Sequence, residues 1–261
     1  MIEFDPIWIT LLSAAVFAGF VDAVAGGGGL IQVPALFAGL PREAPATLFG
    51  TNKVASIFGT LNAARGYVRA VVMPWKLVVP AAIAAFVFSF AGAAVVAWLP
   101  KDVVRPLVLV LLVAVAVYTW TKPDFGVSKR SPRIAAQHTL LVALLVGAVM
   151  GFYDGFFGPG AGSFMIFAFV RLFGMDFLHA SASAKILNAA TNAGALFLFA
   201  PTGHVLWALG LGMAVCNIAG AQLGSKLAIK HGSGFVRQVF LIMTTLLIVK
   251  IGWDILSGPR G

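Results

Sequence analysis

Cys216 is the only cysteine in the chain. That excludes a disulfide framework and a thiolate metal site, and leaves a small apolar core residue as its plain reading. Charge is nearly as scarce: 10% of the 261 residues are charged and 60% are hydrophobic, whereas a soluble domain is roughly a quarter charged. Long polar stretches are missing too, apart from TKPDFGVSKRSPR at 121–133. The four histidines (His138, His179, His204 and His231) show no metal-ligand spacing, and no phosphate-binding loop occurs. Neither a metal, a cofactor nor a catalytic centre is therefore expected. The net charge of +9 would suit nucleic acid, but the basic residues lie in short clusters between apolar spans, without interleaved aromatics. Membrane topology explains them better, and no nucleic-acid partner is expected.

What remains is apolar runs of the length that crosses a hydrocarbon core, roughly 20 residues. They read as 7–25, 30–40, 46–64, 75–99, 103–120, 139–157, 160–173, 178–200, 205–229 and 236–256. The first is preceded by Glu3 and Asp5 rather than by Lys or Arg and has no small-residue cleavage site, so a removable signal peptide is not expected. Lys250 reads as interfacial.

The two halves repeat. Asp22 matches Asp154, Gly26 matches Gly158 and Gly28 matches Gly160. GTNKVAS at 50–56 lies against ASAKILN at 182–188, pairing Lys53 with Lys185, and Arg105 pairs with Arg237. Every pair is 132 residues apart; a later match, Ala91 with Ala219, is offset by 128. The chain divides into a first repeat at 1–123, an inter-repeat loop at 124–133 and a second repeat at 134–261. Five crossings per half would invert the second repeat. With the N-terminus outside, eleven Lys and Arg then fall on one side and four on the other, whereas four crossings per half scatter them over both. The expected fold is all-α and polytopic: two inverted-topology repeats, 8–10 transmembrane segments, with paired broken or half helices.

The repeated motifs are the awkward ones. GFVDAVAGGGGL at 19–30 and GFYDGFFGPGAG at 151–162 place helix-breaking glycines inside apolar spans, where each costs about 1 kcal/mol against alanine. Opened backbone is tolerated at membrane depth only where protein or a watery cavity surrounds it. Short, Gly-interrupted segments at matching positions of two repeats point to a transporter's substrate site. Gly26, Gly27, Gly28, Gly29, Gly158 and Gly160 would turn freed N–H groups toward an anion; close packing of helices through small residues is the plainer alternative. Lys53 and Lys185 lie mid-span, where a charge costs about 3 kcal/mol. They either form an anion-binding centre, with Thr51, Asn52, Ser183 and Asn188 beside them, or simply pair with Asp22 and Asp154. The two aspartates either titrate and couple proton movement or cap the amides of the break that follows. Asn62, Asn192, Asn217 and Gln222 are candidate path-lining groups.

Together, AGFVDAVAGGGGLIQVPAL, GTNKVAS, GFYDGFFGPGAGSF and ASAKILN resemble the TauE/SafE sulfite exporter family of membrane permeases, over about residues 18–256. The resemblance implies an inner-membrane carrier, associated with export of sulfite and other organosulfur anions such as sulfoacetate. It also implies that Gly26–Gly29, Asn52, Lys53, Gly158–Gly160 and Lys185 belong to the transport centre. The family is often drawn with eight transmembrane helices, which matches ten segments only if the short ones are half-helices.

The expectation is thus a secondary transporter, not an enzyme, that exports a small sulfur oxyanion across the bacterial inner membrane by alternating access around a mid-membrane site. Its partners would be the anion, the lipid bilayer and a coupling proton or ion. A carrier of another small anion such as a carboxylate, or a membrane-embedded enzyme, is the competing reading. The oligomeric state is not legible.

Overall fold

The computed structural model describes residues 6–98 and 134–256, and among them the chain is helical with no strand. The expected span at 103–120 and the inter-repeat loop lie outside the described residues. Eight α-helices follow in order. These are α1 (Pro6–Ala25), α2 (Gly29–Gly39), α3 (Pro45–Ala70), α4 (Trp75–Trp98), α5 (Thr139–Phe156), α6 (Ala161–Phe173), α7 (Phe177–Phe199) and α8 (Trp207–Leu256). Four of these stretches are long and apolar enough to cross a membrane: Ile7–Ala25 of α1, α4, α5 and Trp207–Val236 of α8. At 11 and 13 residues, α2 and α6 reach only about 16–20 Å at 1.5 Å per residue, short of the roughly 30 Å core.

Two expected spans, 205–229 and 236–256, lie on either side of a kink in α8, where Gly232 leaves helical geometry at φ 70° and ψ −163°. That backbone region is essentially reserved for glycine, and a Cβ on Gly232 would meet nothing within 4 Å. Gly232→Ala should therefore cost about 1–3 kcal/mol of purely conformational strain. Gly234→Ala, at a helical position with the same open space, should gain up to about 1 kcal/mol. Thermal unfolding of the purified protein in detergent reads both.

Small residues set how the helices meet. Gly147, Gly151 and Gly155 of α5 lie directly on the backbone of Ala81, Ala85 and Ser89 of α4, so the two helices run side by side in the same direction. Gly220 and Gly224 of α8 lie on Val16 and Phe20 of α1, while Gly19 lies on Asn217, again in parallel. Without a hydrophobic drive between helices in lipid, such glycine seams let backbones approach closely enough for dispersion to hold them. The two seams are reciprocal: the first helix of each half packs along the fourth helix of the other.

The central helices are α3 and α7. Every residue from Pro45 to Ala55 is buried in α3, as are Ala180 to Lys185 in α7. The two run antiparallel. Gly50, near the start of α3, lies against Phe199 at the end of α7. At the other end, Tyr67 of α3 and Ser181 of α7 donate to the adjacent carbonyls of Ala23 and Val24.

Candidate functional site

Each glycine motif ends one helix and starts a short one. After α1 the chain turns through Gly26, at φ 74°. After α5 it turns through Gly158 and Gly160, at φ 94° and 80°, with Pro159 between them. Glycine, lacking a Cβ, adopts this backbone freely, whereas L-residues rarely do. The two turns touch. The Ser163 N–H donates to the Gly26 carbonyl at 3.1 Å and its hydroxyl donates to the Ala25 carbonyl at 2.7 Å. The Gly29 backbone packs against Pro159, and a Cβ on Gly29 would lie 3.2 Å from the Pro159 Cα. Tyr153 braces the second turn by donating to the Pro159 carbonyl at 2.7 Å.

The turns leave donors over. Gly27, Gly28 and Gly29, and likewise Gly160 and Gly162, find no backbone acceptor for their N–H groups among the described residues. All but Gly29 are buried. Buried amides are normally satisfied, and N–H groups opening a helix are suited to an anion.

The four charged residues of the motifs gather at this junction and pair across the halves. Lys53 of α3 lies 2.8 Å from Asp154 of α5, with side chains 3% and 5% exposed. Lys185 of α7 lies 2.8 Å from Asp22 of α1, with side chains 0% and 14% exposed. Lys53 also borders the second turn, its Nζ being 3.4 Å from where a Gly158 Cβ would sit. Low dielectric makes these attractions strong, yet the desolvation of four charges offsets most of the gain. Buried charge held at such a cost inside a membrane marks function more often than stability.

The remaining candidates divide. The Asn52 side-chain oxygen, Oδ1, is buried without a hydrogen-bond partner. Thr51 and Ser183, equivalent in the two halves, instead donate to the Thr47 and His179 carbonyls four residues back in their own helices. Thr51 also accepts from the Leu206 N–H. Asn188 accepts from Asn192. Of the aspartate side chains, Asp22 accepts hydrogen bonds from Lys185 and Thr60, and Asp154 pairs with Lys53. Of the path-lining candidates, Asn192 and Asn217 are buried, Asn62 is partly buried and Gln222 is exposed. His204 bonds Thr47 and His179 bonds Asp176.

Four contributors were not legible in the sequence. Thr60 reaches Asp22 at 3.4 Å, Tyr67 and Tyr153 brace backbone carbonyls, and Ser163 joins the turns. None recurs in the other half, so the repeat that exposed the lysines carries no signal for them.

Comparison with known proteins agrees with this architecture. The family model described as "Sulfite exporter TauE/SafE" matches residues 11–251. "Probable membrane transporter protein YfcA" of Escherichia coli K12 is 37% identical over 244 residues, 94% of this chain and 89% of that protein. "Probable membrane transporter protein ORF9" of a Sinorhizobium species is 37% identical over 92% of this chain and 90% of its own length. A "Probable membrane transporter protein" of Haemophilus influenzae is 35% identical over 91% of each chain. No solved structure gives a significant match. The chain belongs to the TauE/SafE sulfite exporter family and is a multi-pass membrane transporter.

Proposed function

We propose that this transporter exports a small sulfur oxyanion, such as sulfite or sulfoacetate, across the bacterial inner membrane. The observation that carries this reading is the meeting of the two glycine turns, with their unsatisfied buried amides, beside Lys53 and Lys185. An oxyanion there could accept from the Gly27, Gly28, Gly160 and Gly162 N–H groups. It could also draw an ammonium from its carboxylate, each charge-assisted bond contributing about 1.5–3 kcal/mol. Gly26, Gly29, Gly158 and Asn52 would shape the same pocket.

Residues 1–123 and 134–261 act as inverted repeats on either side of the loop at 124–133. The antiparallel run of α3 against α7, and the reciprocal seams α1–α8 and α4–α5, support that relation. Rocking of one repeat on the other would open the junction to each side in turn.

A flux screen with the purified protein in liposomes, using sulfite, thiosulfate, sulfoacetate, sulfate and carboxylates, tests the reading. Uptake of sulfite or sulfoacetate above protein-free liposomes is expected. Movement of carboxylates alone would reassign the substrate, and movement only of cations or neutral solutes would overturn the reading.

A further inference from the structure

The charges at the junction cancel. Among the residues whose side chains are described, Arg42, Arg65, Arg69, Lys76, Arg171, Lys226 and Lys230 are exposed, and Glu43 and Asp176 are partly exposed. At the junction, among the described residues, two lysines and two aspartates meet in two pairs of 2.8 Å. An empty site is thus neutral, and an entering monoanion would leave one unpaired negative charge away from water. Isolated buried charge is the state that low-dielectric surroundings disfavour most. The geometry also says where that charge would reside: a lysine that turns to the substrate abandons the aspartate 2.8 Å away.

From this balance, and resting on the anion reading above, we infer that the transporter carries one proton with each negative charge of its substrate, on Asp22 or Asp154, and that its cycle is electroneutral. The proton comes from solution on the loading side, occupies the carboxylate its lysine has left, and departs with the anion on the other side. Two carboxylates accommodate two protons, so mono- and dianions fit and a trianion does not.

Asp22 is the first acceptor in this conformation. It is the more exposed of the two, 14% against 5%. The groups facing it are Lys185 from α7 and Thr60 and Tyr67 from α3, while α2 presents Gly28. The charged side chains described on α8, Lys226 and Lys230, are exposed. Asp154 is faced by Lys53 from α3 and by Tyr153 on its own helix; Lys76 of α4 and Arg171 of α6 are exposed.

The test is uptake of sulfite and, in parallel, of sulfoacetate by the purified protein in liposomes, with protein-free liposomes subtracted. A pH gradient and a potassium–valinomycin potential are imposed separately. Expected is uptake at least tenfold faster when the lumen is alkaline, acidification of the lumen as anion enters, and no response to potential. In Asp22→Asn, the ratio of uptake with the pH gradient to uptake without it should fall at least tenfold. Should that variant not fold, the wild-type measurement decides. Uptake that follows the potential or a sodium gradient and ignores pH would overturn the inference and leave the anion reading intact. Absence of any anion movement would sink both.

Discussion

Lys185→Ala should lower anion flux at least a hundredfold and should also destabilise the protein, by about 3–5 kcal/mol, because Asp22 is left buried without its counter-ion. The two losses have different causes and can be separated. Lys185 is fully buried and bonded to Asp22 at 2.8 Å, so removing both charges together, in Lys185→Ala with Asp22→Asn, takes away the uncompensated carboxylate. The double variant should recover most of the thermal stability, to within about 1–2 kcal/mol of the wild type, and none of the flux. Recovery of flux along with stability would mean that the lysine serves only to neutralise an aspartate. Thermal unfolding in detergent and liposome flux on the same preparations give the two readouts. Lys53→Ala with Asp154→Asn is the matching pair in the other half, with side chains buried to a similar degree, and should behave alike.

Gly26→Ala should be the most damaging single-methyl change near the site. The residue has φ 74°, and a Cβ there would overlap the backbone of Gly162 in the opposing turn. The left-handed backbone alone costs about 1–2 kcal/mol for an L-residue. The clash cannot be relieved by a side-chain rotation, since backbone meets backbone, so the total falls in the exceptional range above about 4 kcal/mol. Gly27→Ala is the internal control: its backbone is not left-handed and its Cβ would make ordinary contact with Val21 at 3.4 Å. A loss of about 1 kcal/mol or less is expected there. If the two variants melt alike, the turns are not held against each other as described.

Some of this protein follows from local chemistry. Apolar runs of spanning length forecast α1, α4 and α5 nearly to the residue, because within lipid a backbone must satisfy itself as helix. The 132-residue offset singled out Lys53, Lys185, Asp22, Asp154 and the two glycine turns, because a duplicated chain repeats whatever chemistry its function retains. The break between the expected spans 205–229 and 236–256 also shows locally, since Gly232 between them leaves helical geometry.

Only the tertiary structure decided how those pieces meet. A period along the chain is blind to contacts between halves, so it left open whether the lysines would find the aspartates at all; the fold pairs Lys53 with Asp154 and Lys185 with Asp22. It also turned the Thr51 and Ser183 hydroxyls back to their own helices and placed Ser163 of one turn on Gly26 of the other. Composition and repetition select residues by what they cost in a membrane. Which of them touch depends on helix directions and on glycine seams that act across more than a hundred residues of chain.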